Sequence, residues 1–248
     1  MARTARRERG LKSPPVIRVI IPALNEDRAI GKVLADIPPG VAEVIVADNG
    51  STDGTAGICR NLGATVVAEP ARGYGAACLK GIAALAADTD IVVFLDGDYS
   101  DFPSEMGRLV EPIAGGRADM VIGSRMLGLA EPGALLPVAR FGNWLTTRLV
   151  RLGWGVAYTD LGPFRAIRMD ALRALGMADR DFGWTIEMQV KAAARGLRTV
   201  EVAVSYRKRI GMSKISGTVL GSYKAGKKIL WIVAREWIKK KIRRAREA

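Results

Sequence analysis

Ile91-Val92-Val93-Phe94-Leu95-Asp96-Gly97-Asp98 is the stretch that decides the fold. Five apolar residues run without interruption and stop at two carboxylates separated by a glycine. Such a run fits a strand buried on both faces, as in a parallel sheet covered by helices. Carboxylates placed directly after that strand lie at its C-terminal edge, where open α/β sheets bind their ligands. Two acidic side chains flanking a glycine can hold Mg2+ or Mn2+ against a diphosphate, because hard cations prefer oxygen donors and complete their shells with phosphate and water.

The alternation continues on both sides of this run. Strands are expected at Val16–Ile21, Glu43–Ala47, Thr65–Ala68, Met120–Ile122 and Thr199–Val204. Helices are expected at Arg28–Asp36, Thr55–Leu62, Ala76–Ala87 and Ser104–Ala114. This βαβ rhythm specifies an α/β domain with a mostly parallel central sheet flanked by helices. Asp53 before Thr55, and Ser104-Glu105 after Pro103, read as helix-starting signals. Ala130–Pro137 breaks the rhythm and reads as a crossing into a second half that ends near Tyr206.

The loop after the first strand, Pro22-Ala23-Leu24-Asn25-Glu26, contains no glycine. It therefore lacks the G-x-G-x-x-G of a dinucleotide-binding dehydrogenase. It also lacks the glycine-rich, Arg/Lys-bearing loop expected of a nucleotidyltransferase. The second strand leads into Asp48-Asn49-Gly50-Ser51-Thr52-Asp53. Asp48 could accept a hydrogen bond from a nucleobase, and Gly50 would let the backbone approach a ligand. The same residues also satisfy an Asn-Gly turn followed by an Asp helix cap.

Composition narrows the chemistry. A 248-residue chain with 49% hydrophobic and 25% charged residues fits one globular domain. Histidine is absent, which removes Ser-His-Asp triads and His-ligated zinc and leaves acid–base and metal work to carboxylates. Two cysteines, Cys59 and Cys78, make no disulfide framework, so a reducing cytoplasm is expected. Met1–Lys12 has no apolar core of the kind a secretion leader needs. No apolar run approaches the roughly 20 residues of a membrane span. The net charge is +13, but residues 1–12 and 224–248 carry +12 of it. The division expected is a basic tail over residues 1–13, a catalytic domain over 14–216 and a helical basic segment over 217–248. A near-neutral centre without a basic, aromatic-studded face speaks against a nucleic-acid partner. In the last segment Ile229–Ala234, Trp237, Ile238 and Ile242 stand among Lys228, Arg235, Lys239 and Arg243. That mixture suits the headgroup region of an anionic membrane surface, and a peripheral site on the inner face of the cell membrane is expected. The alternative is a helix packed on the domain through its tryptophans, with a solvated charged end.

Taken together, IPALNE, ADNGSTDGT, RGYGAA (Arg72–Ala77), LDGDYSD, GSR (Gly123–Arg125), DLGPFRAIR (Asp160–Arg168) and RxGxSK (Arg209–Lys214) resemble family 2 glycosyltransferases. The order and spacing are similar to the catalytic domains of dolichyl-phosphate mannose synthase and polyprenyl-phosphate glycosyltransferases, over roughly Val16 to Thr218. The resemblance implies a GT-A fold, an inverting mechanism, and a UDP- or GDP-sugar donor held with Mg2+ or Mn2+. By position, Pro22, Asn25, Glu26 and Asp48 would line the nucleoside pocket, with Gly73 also on the donor side. Asp96 and Asp98 would hold the ribose–diphosphate and the metal. Arg209, Ser213 and Lys214 would close over the diphosphate. Arg125 and Arg140 would receive an acceptor phosphate, with Asn143 nearby, since a guanidinium fork matches phosphate oxygens. Three departures stand out: Ser100 where mannose synthases commonly carry Gln, Asn49 where a second Asp is usual, and Gly162-Pro163-Phe164-Arg165 where S-G-F-R is usual.

The acceptor remains open on sequence alone. A lipid phosphate is already ionised and needs no base. A hydroxyl acceptor (diacylglycerol, a glycoside or a small sugar acid) would need a carboxylate to take its proton. Glu187, at the start of an expected helix, and Asp160 are the candidates. Each has a structural alternative: a first-turn Glu stabilised by the helix dipole, and an Asp fixing Arg165.

Overall fold

In the computed structural model, residues 14–211 and 219–247 are described. Arg209 lies within them, whereas the basic N-terminal tail, Ser213 and Lys214 lie outside.

Seven strands form one sheet in the order β3-β2-β1-β4-β6-β5-β7. They are β1 (Ile17–Ala23), β2 (Val41–Asp48), β3 (Thr65–Ala68), β4 (Ile91–Phe94), β5 (Met120–Ser124), β6 (Arg165–Arg168) and β7 (Thr199–Ala203). All neighbours are parallel except β6, which runs antiparallel to both β4 and β5. The sheet is mostly parallel, as expected, and its one antiparallel strand, β6, is one that the sequence did not announce.

Pleating divides the apolar residues between two faces. Ile20, Val92, Phe94, Met120, Ile122 and Ile167 join one core, while Val19, Ile21, Val93, Leu95, Val121 and Ala166 join the other. Helices α1 (Ile30–Ala35), α2 (Thr55–Asn61) and α4 (Met106–Ala114) cover the second core. Helices α3 (Tyr74–Ala83), α5 (Pro137–Trp154), α6 (Met169–Leu175), α7 (Trp184–Ala194) and α8 (Val219–Glu247) cover the first. All four residues of β4 are buried, as expected for a central strand with helices on both sides.

Strand order changes direction at β1, which has β2 on one side and β4 on the other. In open α/β sheets the crevice beyond the carboxyl ends at such a switch point is the ligand site. Because β1, β2, β4, β5 and β7 all point the same way, Asp48, Asp96, Arg125 and the segment after Ala203 converge on that one edge. The antiparallel β6 begins at this edge and so brings Asp160–Phe164 to it.

Helix α8 is two-faced. Ile232, Val233 and Glu236 are buried against the domain, whereas Leu230, Trp231, Trp237, Ile238 and Ile242 are exposed. The Ile232 Cδ1 methyl sits so close to Gly183 that any Cβ there would collide with it. Packing through the tryptophans, the alternative considered from sequence, is not what holds this helix. Among the described residues no helix is long and apolar enough to cross a membrane.

Candidate active site

The donor side is made by stitching two loops together. Asn25, at φ 51°, accepts a hydrogen bond from Thr52 N–H (2.8 Å) through its side chain, and its own N–H donates to Ser51 Oγ (2.9 Å). Glu26 N–H donates to Thr55 Oγ1 at 2.8 Å, and Asp48 Oδ1 accepts from Ser51 N–H at 3.1 Å. Asp53 accepts from both the N–H and the hydroxyl of Thr55, the first residue of α2, while Gly54 stands at the cap position. Pro22 lies beside Ala47 across the β1–β2 ladder. The expected donor residues Pro22, Asn25, Glu26 and Asp48 are therefore brought to one edge.

Asn49 explains its own departure from the family pattern. Its Nδ2 donates to the carbonyls of Glu69 and Ala71, and its Oδ1 accepts from Gly73 N–H. An aspartate could accept but not donate, so this post requires the amide. Gly73 (φ 142°) and Gly75 then meet the main chain at 179–180 so closely that a Cβ on either would collide with a carbonyl oxygen. Gly73 accordingly shapes the donor side through its backbone.

Asp96 and Asp98 follow β4. Asp96 Oδ1 accepts from the Tyr74 hydroxyl at 2.9 Å. Burial and the neighbouring Asp98 push the Asp96 carboxyl up to about 6, while Arg209, Tyr74 and Arg125 pull the other way. Asp98 accepts from Ser100 N–H (3.0 Å) and Ser100 Oγ (2.6 Å), and pairs with Arg209 Nη1 at 3.1 Å. Ser100 therefore fixes the orientation of Asp98. A Cβ at Gly97, between the two carboxylates, would sit 3.3 Å from Ile30 and 3.4 Å from Ile21, so the glycine leaves the two isoleucines their positions.

Asp101 was missed from sequence. It is 1% exposed, and neither carboxylate oxygen has a hydrogen-bond partner among the described residues; the Asp96 N–H faces it without completing a bond. Burial, then Asp96 and Asp98, hold its carboxyl well above the usual range. A cluster of acids at this edge, with Asp101 buried and without a partner among the described residues, fits a site that receives positive charge. Among the described residues no three Cys, Asp or Glu side chains are disposed to hold a cation alone. Asp96 and Asp98 would have to share it with oxygens of the ligand, which is how Mg2+-type sites are usually completed.

Arg207 was missed as well. It stacks on Tyr99 (3.3 Å from the ring centroid) and Phe102 (4.0 Å), and donates to the carbonyls of Tyr99 and Asp101. Backbone bonds from Arg207 N–H to Ser100 O and from Ile210 N–H to Asp98 O extend the clasp. The chain leading to Arg209 is thus pinned along the acidic loop. Tyr99 at φ 64° marks the strain of this turn.

On the acceptor side the candidate residues are already engaged by their neighbours. Asp160 pairs with Arg125, not Arg165: it accepts from Arg125 N–H (2.8 Å), Nε (2.8 Å) and Nη2 (2.7 Å). Arg165 is buried with no carboxylate partner among the described residues and donates instead to the carbonyls of Leu161, Gly162 and Thr185. Asn143 spends both ends of its amide on Thr159 O and Leu161 N–H, so it braces the Asp160 loop. Glu187 is 0% exposed and occupied by the N–H groups of Ala178 and Asp179 and by Lys191 and Arg235. Burial alone would raise its carboxyl, but those hydrogen bonds outweigh burial and lower it. A carboxylate so engaged is a poor proton acceptor. Arg140 is exposed in the first turn of α5. Arg125 keeps Nη1 without a partner among the described residues, and its guanidinium lies 5.0 Å from the Tyr206 ring.

Over residues 18–176 the sequence matches the family model described as Glycosyl transferase family 2. The chain belongs to glycosyltransferase family 2. It is 41% identical over 209 residues to an uncharacterised glycosyltransferase of Mycobacterium tuberculosis, covering 83% of this chain and 92% of that one. A dolichyl-phosphate hexose transferase of Haloferax volcanii is 33% identical over 225 residues, covering 89% and 95%. Among solved structures, glucosyl-3-phosphoglycerate synthase of Mycobacterium tuberculosis, in complex with Mn2+, UDP and glucosyl-3-phosphoglycerate, superposes with a TM-score of 0.72 at 26% identity. That likeness covers 91% of this chain and 81% of the other. The glycosyltransferase has the expected GT-A fold.

Proposed function

We propose that this glycosyltransferase moves a hexose, with inversion, from a UDP- or GDP-sugar to the phosphate of a polyprenyl lipid at a membrane surface. The observation that carries the reading is the pairing of Asp160 with Arg125. It converts one candidate base into the anchor of a guanidinium, and Glu187, the other, is sealed among cations. With neither free to take a proton, an acceptor that arrives ionised is the better fit. One phosphate oxygen attacks the anomeric carbon as the bond from that carbon to the nucleoside diphosphate breaks, and the electron pair leaves with the diphosphate. Mg2+ or Mn2+ at Asp96 and Asp98 would neutralise charge on the leaving diphosphate. Arg125 and Arg140 would hold the acceptor phosphate.

The lipid part rests on where apolar surface is exposed. Among the described residues, thirteen of the fifteen exposed large hydrophobics lie either in Met126–Leu152 or on α8. Phe141 and Trp144 on α5 and Trp231 and Trp237 on α8 are among them, with Arg148, Lys228, Arg235 and Lys241 against the indole rings. Concentrated apolar surface of this kind marks an interaction site. Aromatic rings beside cations suit an anionic bilayer surface, where each basic residue contributes about 1 kcal/mol. This supports a peripheral enzyme on the inner face of the cell membrane.

The likeness to glucosyl-3-phosphoglycerate synthase favours a second reading, transfer to the hydroxyl of a small phosphorylated acid. The two separate in one assay: labelled UDP- and GDP-hexoses with Mn2+, offered a polyprenyl phosphate, the corresponding polyprenol, or 3-phosphoglycerate. Label on the polyprenyl phosphate alone is expected. Label on phosphoglycerate, with none on the lipid, overturns the proposal.

A further inference from the structure

The two carboxylates of the acidic loop are supported unequally. Asp98 is gripped by Ser100 and Arg209, whereas Asp96 has the Tyr74 hydroxyl as its hydrogen-bond partner, 2.9 Å from Oδ1. Tyr74 is itself held with little freedom. It opens α3, and its ring packs on the core of Phe94 and Trp184. On one side of it Gly73, and on the other Gly75, lie hard against the carbonyls of Arg180 and Asp179, while Ala76 N–H donates to Arg180 O at 2.9 Å. Those contacts fix the entry of α3, and with it the point that the phenol reaches.

We propose that Tyr74 is a positioning residue for the cation site, its hydroxyl holding Oδ1 of Asp96 so that Oδ2 is the oxygen offered to a divalent cation shared with the donor diphosphate. This rests on the donor-site reading given above. Partners that hold a ligating carboxylate decide its direction, and their removal typically weakens metal binding by about 10- to 100-fold. A phenol is protonated at neutral pH and donates to the carboxylate oxygen it meets. A tyrosine present only to fill the core would do its work through the ring.

Tyr74→Phe separates the two roles, since it keeps the ring and removes the hydroxyl. Mn2+ binding would be followed by electron paramagnetic resonance of the full chain, with Mn2+ alone and with Mn2+ plus UDP or GDP. Weakening of Mn2+ binding by about tenfold or more is expected. In turnover, the Mn2+ concentration for half-maximal rate should rise while the rate at saturating Mn2+ stays within about threefold of wild type. Nucleotide binding measured without metal should not change. If the variant binds Mn2+ within twofold of wild type, Tyr74 is a core residue and the proposal fails. A wild-type chain that takes up no Mn2+ with either nucleotide overturns the donor-site reading, and this inference with it.

Discussion

Replacing Asp160 by asparagine should destabilise the protein far more than one atom's change in chemistry suggests. Asp160 is 1% exposed and the Arg125 side chain 15%, and three hydrogen bonds of 2.7–2.8 Å join them. Asparagine offers one acceptor oxygen, turns an N–H2 toward a guanidinium that is all donor, and removes the counter-charge. Breaking a buried ion pair from one side costs about 3–5 kcal/mol, because the surviving charge is left without compensation. For a chain of this size each kcal/mol moves the melting temperature by about 2–4 °C, so Asp160→Asn should melt about 6–20 °C lower. Urea unfolding followed by far-ultraviolet circular dichroism measures it. The double variant Arg125→Met/Asp160→Leu supplies the second arm. Exchanging a buried pair for apolar residues is often neutral or better, so the double variant should recover most of the loss. It should nevertheless bind a phosphate acceptor poorly, having lost Arg125. A single variant costing under about 1 kcal/mol, or a double variant costing the sum of two damaging singles, would refute the reasoning.

Other consequences can be checked as directly. The Asp96 carboxyl, raised to about 6, must be ionised to bind a cation, so Mn2+-plus-UDP stabilisation should be larger at pH 7 than at pH 5. Its sign in the metal-free protein is opposite: an acid raised on folding loses stability as pH climbs from its ordinary 3.8 through 6, and melting curves at several pH values would show both slopes. Gly183→Ala drives a methyl into Ile232 Cδ1 and should dislodge α8, read as faster proteolysis of the C-terminal segment, with Ile232→Ala restoring resistance. Asn49→Asp loses two donated bonds to carbonyls and should cost about 1–3 kcal/mol in urea unfolding. Because Trp231 and Trp237 are about half exposed, the pair changed to alanine should leave stability within about 1 kcal/mol, yet abolish flotation with anionic liposomes at low salt; unchanged flotation would discard α8 as the docking surface.

Six of the seven strands were legible because their short β-branched and apolar runs stand between turn and helix signals. Strand β6 was not, for an equally physical reason. It begins and ends with arginine, and Arg165 is wholly buried with its charge solvated by carbonyl oxygens, an arrangement no periodicity reveals. Helix α5 was hidden by an inverted pattern: Asn143, Thr146 and Thr147 face inward while Val138, Phe141, Trp144 and Leu152 face out. A rule that turns apolar residues inward reads such a helix backwards. At the site, motif order located Asp48, Asp96, Asp98 and Arg125 on one edge, but it could not tell which carboxylate would be spent on which guanidinium. Asp101 closes the LDGDYSD motif and Arg207 lies in none, yet neither role could be read there, since a buried orphan acid and a stacked cation are defined by what surrounds them.

The segment from Ala178 to Gly183 connects features that the sequence keeps far apart. Glu187 holds its backbone at Ala178 and Asp179, and Lys228, Arg235 and Ile232 of α8 rest on Asp179, Glu187 and Gly183. Its other side carries Gly73 and Gly75, and through them the Tyr74 hydroxyl at Asp96. Glu187, with both oxygens occupied, therefore joins the outward-facing helix to the support of the acidic loop. A substitution that removes its charge should accordingly be felt first as a loosened α8 and α3, and only through them at the donor site. The D-x-D pattern supplies the carboxylates, but their directions are set by Tyr74, Ser100 and Arg209 and by the 178–183 segment beneath α3.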